Sequence, residues 1–502
     1  MAGLNSILVN VTGHETRLAL LEGGQVVEVY VERRKNASLA GNIYKGKVLR
    51  ILPGMRSAFV DIGLEKAAFL YVADIRTDIV EDYALMFEDE NFSGLDFLHG
   101  KRQELHIEEL LHEGQDILVQ VSKNPIGSKG ARVTSYVTLP GRYLVLMPNL
   151  EHIGLSRRIE DEQERTRLRE IVEAMRPKNF GLIVRTASEG ASREDLQKDL
   201  DFLKSLWESV VLKNEKCGAP ALVHGDLDLV LRSVRDLMGS GVDEMVIDSE
   251  KKYLEVRNFV QSYFPKLLGK IDLYEGDEPL FEGYGIEADI SRALGRRIWL
   301  KSGGYIVIDQ TEAMSVIDVN TGKYVGKQDL EDTILRTNLE AVKEIAYQIR
   351  LRNLGGIIIV DFIDMELAEN RQKVFCALQE AMKKDRTKST ISQITELGLI
   401  QMTRKRVRES LVRTLLEPCP YCEGKGTIRS VTTLCYEIFR KAERMAKHGL
   451  KHIVITAHPQ VAELLLDEER QKLEEIENAY GLEVTINEDP ALHQENYEIT
   501  AL

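Results

Sequence analysis

The sequence contains no long apolar run, few cysteines and no N-terminal targeting pattern. No stretch reaches the roughly 18 uninterrupted apolar residues that a membrane-spanning helix needs, so no membrane span is expected. The N-terminus lacks a basic start followed by an apolar core, which argues against a secretory signal. Five unevenly placed cysteines do not suggest a disulfide scaffold and fit a reducing compartment. We therefore expect a cytoplasmic protein of roughly two to four compact domains.

The chain also lacks the positive net charge that is common among nucleic-acid-binding proteins. Its formal net charge is −14, which taken alone counts against a nucleic-acid partner. The basic residues are nevertheless concentrated, since residues 123–158 carry six against one acidic residue, and residues 381–413 carry nine against three. Such segments can bind phosphates locally, although a charged run by itself is most often a solvated surface.

The apolar pattern divides the chain into β-rich and mixed segments. Short strands joined at Gly23-Gly24 open the chain, and a further series over residues 42–123 predicts a small barrel, interrupted by a long loop at 81–105. Residues 280–400 read as a strand, a helix and a second strand, which is a β-α-β unit. That second strand, GIIIVDF, is apolar on both faces, which is typical of a strand buried between two layers.

The strongest chemical signal is a pair of carboxylates in this unit. Asp318 and Asp361 each end one of the two strands, so parallel pairing would bring them to the same edge of the sheet. Two carboxylates meeting there would repel each other unless a hard cation such as Mg²⁺ lies between them. Asn320 could add an oxygen from the same side. The alternative is that each Asp caps a following turn or helix, which we favour for Asp364.

A second signal is Cys419-Pro-Tyr-Cys422, followed by Glu-Gly-Lys-Gly. Two thiolates at this spacing form half of a tetrahedral Zn²⁺ site. Because the other three cysteines form no second pair, the same loop of another subunit would complete the site on a two-fold axis. The alternatives are a redox pair, which would need a helix starting at the motif, or two unligated thiols.

Two further groups of residues suggest contacts with nucleic acid. Phe59 and Phe69 lie on strands of the predicted barrel, where exposed aromatic rings can stack on single-stranded bases, although strand aromatics are more often core. Arg185-Thr186 closes a strand shortly before a helix start at Ser192, which would suit a terminal phosphate. An ordinary surface ion pair is the alternative for Arg185.

Together these features resemble the ribonuclease E/G family of endoribonucleases. The resemblance runs over essentially the whole chain, and its G-type members, which are shorter, match best. It implies a multidomain α/β fold with an S1 (OB-fold) barrel inserted in an RNase H-like subdomain. The sequence blocks that carry it are NIYKGKVLRI, AFVDIG, RYLVLMPN, GLIVRTA, the long block from AMSVIDVNTGK to GGIIIVDFIDM, and CPYCEGKG. The implied boundaries are 1–38 and 214–278 for the RNase H-like subdomain, 39–124 for the S1 domain, 125–213 for a 5′-sensor region, 279–400 for a DNase I-like catalytic subdomain, 401–427 for a zinc link and 428–502 for a small C-terminal domain.

The resemblance also implies roles for individual residues. Ile126 stands where members of the family can have an arginine, so RNA contacts there would be weaker or placed differently. The implied roles are catalysis at Asp318, Asn320 and Asp361, with Mg²⁺ on the two aspartates; a Zn²⁺ link between protomers at Cys419 and Cys422; binding of single-stranded RNA at Phe59, Phe69, Lys123 and Lys129; and recognition of a 5′-monophosphate at Gly141, Val145, Arg185 and Thr186.

The sequence therefore predicts a Mg²⁺-dependent endoribonuclease that leaves 5′-phosphate products and favours 5′-monophosphorylated single strands. Maturation of ribosomal RNA 5′ ends and decay of messenger RNA are the roles that the family implies. We expect a zinc-linked homodimer, with association into a tetramer as the larger alternative. A non-catalytic S1-type RNA-binding scaffold is the competing function, and a phosphodiesterase acting on another substrate is the third.

Overall fold

The computed structural model describes residues 4–33, 38–75, 106–125, 130–148, 150–239, 241–322, 330–395 and 397–501. These fall into two compact units, Met1–Thr414 and Leu415–Leu502. Within those ranges no helix combines the length and the apolar character needed to cross a membrane.

The described part of the first unit contains four β-sheets with helices packed on them. Its strands are β1 (Ser6–Val11), β2 (Glu15–Glu22), β3 (Gln25–Arg33), β4 (Ile43–Leu52), β5 (Ser57–Asp61), β6 (Ala68–Tyr71), β7 (Asp116–Lys123), β8 (Arg132–Thr134), β9 (Leu139–Pro140), β10 (Leu144–Pro148), β11 (Ile153–Leu155), β12 (Phe180–Val184), β13 (Ala221–His224), β14 (Glu244–Ile247), β15 (Ile271–Leu273), β16 (Arg297–Trp299), β17 (Tyr305–Gln310), β18 (Met314–Asn320), β19 (Gly356–Asp361), β20 (Ser389–Ile391) and β21 (Leu399–Arg404). The helices up to the boundary are α1 (Ile107–Leu110), α2 (Glu162–Met175), α3 (Arg193–Lys216), α4 (Leu229–Asp236), α5 (Glu250–Tyr263), α6 (Leu280–Gly283), α7 (Ile286–Leu294), α8 (Leu330–Leu351), α9 (Ala368–Met382) and α10 (Leu411–Leu415).

The N-terminal strands form a five-stranded sheet in the order β15-β14-β1-β2-β3, in which β1 pairs parallel with β14. The turn between β2 and β3 uses Gly23 and Gly24 at φ 60° and 84°, a conformation that favours glycine, so the predicted hairpin is confirmed. Side chains such as Ile7 and Leu18 pack against Val256 and its neighbours on α4 and α5. The sheet thus joins two segments that lie far apart in the sequence.

The predicted barrel is confirmed as a closed, five-stranded, OB-like barrel in the order β4-β5-β6-β8-β7, with β7 returning to β4. The pair β6–β8 is parallel and the other pairs are antiparallel. Alternate side chains such as Ala58, Val60 and Leu70 fill the interior. The loop predicted at residues 81–105 lies outside the described residues.

A four-stranded sheet in the order β11-β12-β10-β9 follows the barrel and packs against α2 and α3. The predicted start of α3 is confirmed, because Ser192 and Asp195 form a reciprocal capping box. Leu146 and Leu182 on the sheet meet Leu200 on α3 in the shared core.

The fourth sheet is mixed and has the order β16-β17-β18-β19-β21-β20. Its parallel pair is β18–β19, which α8 connects as predicted. Ile317, Ile345 and Val360 belong to the core that α8 and α9 build against one face. The expectation that β19 is buried on both faces is wrong. Ile357 is 46% exposed, because these helices cover only one face, and the side chains of the other face are partly exposed. We call that second face the open face.

The second unit is a small α/β domain. Its three-stranded sheet has the order β23-β22-β24, with β22 parallel to β23 and antiparallel to β24. Leu434, Ile438 and Ile455 lie at the centre of its core. Its elements are α11 (Val431–Lys447), β22 (His452–Ala457), α12 (Pro459–Leu466), α13 (Arg470–Tyr480), β23 (Glu483–Glu488) and β24 (Tyr497–Ala501).

Candidate active site

Asp318 and Asp361 face each other across the parallel strands β18 and β19. They are direct partners in the strand register, so both side chains project from the open face of the sheet. Adjacent strands lie only about 4.8 Å apart, and both residues are exposed to solvent. The sequence prediction that these two carboxylates converge at one edge of the sheet is therefore confirmed.

Asn320 completes this group from the end of β18. Its amide Nδ2 donates a hydrogen bond to Oδ2 of Asp318 at 2.8 Å. A cleft of about 290 Å³ opens at this point, lined by Asp318, Val319, Asn320, Thr321, Asp361, Phe362, Ile363 and Asp364.

The expectation that Asp364 acts as a helix cap is not supported. The helix that follows, α9, has Leu367 at its N-cap position and no side-chain capping bond. Asp364 instead contributes a third acidic residue to the lining of the cleft.

The cleft has an unbalanced negative charge. Within the described ranges, neither Asp318 nor Asp361 forms a salt bridge with an Arg, Lys or His side chain. Partial burial raises the pKa of Asp361, and the charges of Asp318 and Asp364 raise it further. Binding of a cation and binding of a proton at Asp361 are therefore in competition.

The residues present fit a hard divalent cation such as Mg²⁺. Facing carboxylates without a cationic partner, together with an amide beside them, are typical Mg²⁺ ligands. No three His, Cys, Asp or Glu side chains come together as a metal site within the described part of the chain. A cation here would therefore need oxygens of water or of a bound phosphate to complete its coordination.

Asn338, which the sequence analysis missed, fixes the chain just beyond Asp361. This fully buried residue of α8 donates from Nδ2 to the carbonyl of Ile363 at 2.8 Å, and its Oδ1 accepts from the N–H of Ile363 at 3.1 Å. The sequence feature that could have indicated Asn338 is its place beside Leu339, one of the apolar positions at helical spacing in this segment. Asn338 therefore positions Asp361 through the backbone that follows it.

The register also places five basic or aromatic residues in one row across the strands, on the outer surface of the barrel. Phe59 and Phe69 are direct partners, half-buried, with ring centroids 6.2 Å apart in an edge-to-face arrangement. They lie outside the barrel core, so the core alternative is wrong for both. Their row continues across the strands, and we call it the barrel row. Its members are Arg50, Phe59, Phe69, Arg132 and Lys123.

Sequence reasoning missed two members of the barrel row, Arg50 and Arg132, because strand partners are not visible in a local pattern. Arg132 forms an ion pair with Asp74, with 2.7 Å between Nη2 and Oδ2. Lys129 and Ile126, which we singled out in the sequence, lie outside the described residues.

The structure brings Arg185 and Gly141 together. Nη1 of Arg185 donates to the carbonyl of Gly141 at 2.5 Å and to the carboxylate of Asp236 at 2.9 Å. Burial opposes the charge on Asp236, but its hydrogen bonds and ion pairs with Arg235 and Arg185 prevail and lower its pKa. The ion-pair alternative for Arg185 is therefore realised, and a phosphate here would share this guanidinium with Asp236.

Thr186 and Val145 lie next to this pair. The hydroxyl of Thr186 is 3.0 Å from that of Ser156. Val145 lies on β10, opposite Ile183 of β12, the strand that precedes Arg185.

A close approach of a carboxylate explains the glycine at position 141. A β-carbon there would lie 2.4 Å from a carboxylate oxygen of Asp199, which accepts hydrogen bonds from the N–H groups of Arg142, Tyr143 and Leu144.

Cys419 and Cys422 lie in a tight loop of the second unit. The N–H of Gly426 donates to the sulfur of Cys422 at 3.3 Å. The backbone N–H groups of Cys422 and Tyr421 lower the pKa of the Cys419 thiol. Stabilised thiolates are the form that binds Zn²⁺. The redox alternative is disfavoured, because the next helix, α11, begins only at Val431.

Comparison with known proteins places the chain in one family. The model of the ribonuclease E/G family matches residues 138–407, and that of its thioredoxin-like domain matches residues 418–502. Ribonuclease G of Haemophilus influenzae is 46% identical over 500 residues, and that of Escherichia coli 43% over 499, each covering 99% of both chains. Ribonuclease E of Haemophilus influenzae is 37% identical over 503 residues, which are 99% of this chain and 52% of that protein. The chain therefore belongs to the ribonuclease E/G family.

We expect the substitution Asn338→Ala to weaken cation binding at the cleft. It leaves two backbone groups of Ile363 unpaired, which costs about 1–3 kcal/mol for each group, and it frees the segment that positions Asp361. The thermal unfolding temperature should fall, and the affinity for Mn²⁺, measured by electron paramagnetic resonance, should fall with it.

Asn370→Ala is the matched control for this substitution. Asn370 is also a buried asparagine, on α9, and its Nδ2 donates to Glu331 rather than to the Asp361 segment. This variant should lower the unfolding temperature and leave Mn²⁺ affinity unchanged. Equal Mn²⁺ affinity in both variants would refute the positioning role of Asn338.

Proposed function

We propose that this protein is an endoribonuclease that cleaves single-stranded RNA internally and depends on Mg²⁺ held by Asp318 and Asp361. The observation that carries the proposal is the pair of facing carboxylates, which line a cleft. Neither of them forms a salt bridge with a basic side chain within the described residues. Membership of a family with relatives named ribonuclease G and ribonuclease E supports RNA as the substrate. A pure RNA-binding scaffold would have no use for this costly pair.

The residues of the cleft would have separate roles in hydrolysis. When bound, Mg²⁺ would polarise the phosphodiester and lower the pKa of an attacking water, giving 5′-phosphate and 3′-hydroxyl ends. Asp318 and Asp361 would supply the carboxylate oxygens. Asn320 would keep the Asp318 carboxylate oriented through its hydrogen bond, and Asn338 would hold the chain beyond Asp361.

The barrel row would bind the single strand before it reaches the cleft. Its two aromatic side chains, flanked by basic ones, suit a strand of RNA, because cations attract phosphates and aromatic faces accept bases of any sequence. Phe59 and Phe69 would stack on bases, and Lys123 is exposed at the end of the row. Lys129 is assigned to the same surface by the family resemblance.

A site for a 5′-monophosphate is proposed at Gly141, Val145, Arg185 and Thr186. The support is the closeness of a guanidinium, which the Gly141 carbonyl and the Asp236 carboxylate orient, to the hydroxyl of the next residue, which lies 3.0 Å from that of Ser156. A pocket of this kind would favour one terminal phosphate over three, because the larger group brings added bulk and charge.

Zinc is proposed to link two protomers through Cys419 and Cys422. The backbone N–H groups directed at these sulfurs favour thiolates, and two thiolates fill only half of a tetrahedral site. Two such dimers could associate into a tetramer. Ribosomal RNA 5′ maturation and messenger RNA decay in the cytoplasm are the proposed roles.

Cleavage of a fluorescent single-stranded RNA tests the proposed activity. We expect internal cleavage in Mg²⁺, none in EDTA, and a loss of about a hundredfold or more for Asp318→Asn, because metal polarisation contributes several kcal/mol. Asp309→Asn is the matched control, since it removes a carboxylate of the neighbouring strand that pairs with Arg296, and it should cleave normally. Binding without cleavage by the wild-type protein would favour the scaffold function.

Two versions of the same RNA test the 5′ site. A substrate with a 5′-monophosphate should be cleaved faster than one with a 5′-triphosphate, and Arg185→Ala should remove the difference by slowing only the former. Equal rates in the unaltered protein would contradict the proposed site.

Analytical ultracentrifugation with metal analysis tests the zinc link. Cys419→Ser should lose zinc and move the sedimenting mass toward the monomer, whereas Cys376→Ser, at an exposed cysteine outside the loop, should change neither. A zinc-free dimer would refute the link.

A further inference from the structure

A pair of aromatic rings, one of them exposed, lies beside the candidate active site. Trp299 on β16 and Tyr305 on β17 are direct partners in the strand register, and their ring centroids are 5.2 Å apart at 61°. Trp299 is 60% exposed, which is unusual for so large an apolar side chain. The other tryptophan, Trp207, is partly buried and packs against the core of the sheet β9–β12.

The register connects this pair to the cleft. Tyr305 is the direct partner of Asn320, so Trp299, Tyr305 and Asn320 form one row on the open face. The neighbouring row contains Val307 opposite Asp318, followed by Asp361. With strands about 4.8 Å apart, Trp299 lies roughly two strand spacings from Asn320. A nucleotide that adjoins a phosphate in the cleft would reach these rings.

A positive charge accompanies the rings. The guanidinium carbon of Arg297 lies 4.6 Å from the ring centroid of Tyr305 and 5.9 Å from that of Trp299. Arg297 makes no salt bridge within the described part of the chain, whereas its neighbour Arg296 is paired with Asp309. A guanidinium beside aromatic faces can contact both a base and a phosphate.

We propose that Trp299, Tyr305 and Arg297 form a stacking site for the base of the nucleotide next to the cleaved phosphodiester. The proposal rests on the proposed cleavage of RNA at Asp318 and Asp361, and it adds a determinant of substrate binding on the catalytic sheet itself. Base stacking on an aromatic ring tolerates every base. The site would therefore position the strand over the carboxylates without imposing a strict sequence.

Tryptophan fluorescence tests the contact without any cleavage. The chain has two tryptophans, so Trp207→Phe leaves Trp299 as the only emitter and Trp299→Phe leaves Trp207. A short unlabelled single-stranded RNA is titrated into each variant in EDTA, and binding is measured separately by anisotropy of a labelled RNA. We expect strong quenching in Trp207→Phe and little in Trp299→Phe. Unquenched Trp299 in a variant that binds RNA would overturn the proposal.

Abasic substrates connect the contact to one nucleotide. In Mg²⁺, Trp299→Ala should lower kcat/KM about tenfold or more, and Trp299→Phe should restore most of the loss. Removing the base on one side of the cleaved bond should cause a similar loss in the wild-type protein and little further loss in Trp299→Ala, because the two changes remove the same contact. If the losses caused by Trp299→Ala and by base removal were additive at every position of the RNA, the stacking site would be contradicted.

The outcomes separate this proposal from the proposed function. If the wild-type protein binds RNA with quenching of Trp299 but does not cleave, the proposed function fails and the stacking contact stands. If cleavage is normal and Trp299→Ala changes only the sedimenting mass, the open face is an interface between copies of this chain and the stacking site is refuted.

Discussion

The repulsion between two facing carboxylates is the constraint on which the sheet of the candidate active site depends. Asp318 and Asp361 lie opposite each other in a parallel pair of strands, and the charges of Asp318 and Asp364 add to burial in raising the pKa of Asp361. Without a cation this arrangement costs free energy. The surrounding structure must therefore hold both strands in a register that their own charges oppose.

Two buried polar contacts supply that rigidity. Asn338, on the covered side of the sheet, forms two hydrogen bonds with the backbone of Ile363, just after Asp361. At the other end of β19, Arg404 pairs with Asp385 at 2.6 Å and also donates to the carbonyl of Leu354, with both charged side chains almost fully buried. A buried ion pair of this kind is costly to break, so it fixes the Arg404 guanidinium, whose hydrogen bond to the Leu354 carbonyl ties β21 to the start of β19. The candidate site is thus positioned from both ends of one strand.

The sequence was sufficient for the features that local order determines. Asp318 and Asp361 end two strands joined by a single helix, so their convergence followed from one β-α-β unit. The barrel, the Gly23-Gly24 turn and the Ser192 cap were predictable for the same reason. Arg132 was not, because its neighbour Phe69 is set by pairing between strands far apart in the sequence. Trp299 was missed because a short strand does not show from its own sequence which of its faces the helices leave uncovered. The exposure of Ile357 was missed because an apolar strand in a sheet covered on one face has the same sequence pattern as one covered on both.

The proposed function requires a metal ion in contact with the cleaved phosphate, and sulfur substitution at that phosphate tests this contact. RNA is prepared with each non-bridging oxygen of the cleaved phosphate replaced in turn by sulfur. Hard Mg²⁺ binds sulfur poorly, whereas softer cations accept it. We predict that one of the two forms is cleaved about a hundredfold more slowly in Mg²⁺ and regains activity when Mn²⁺ or Cd²⁺ is added. Unchanged cleavage of both forms in Mg²⁺ would show that no metal ion contacts the cleaved phosphate.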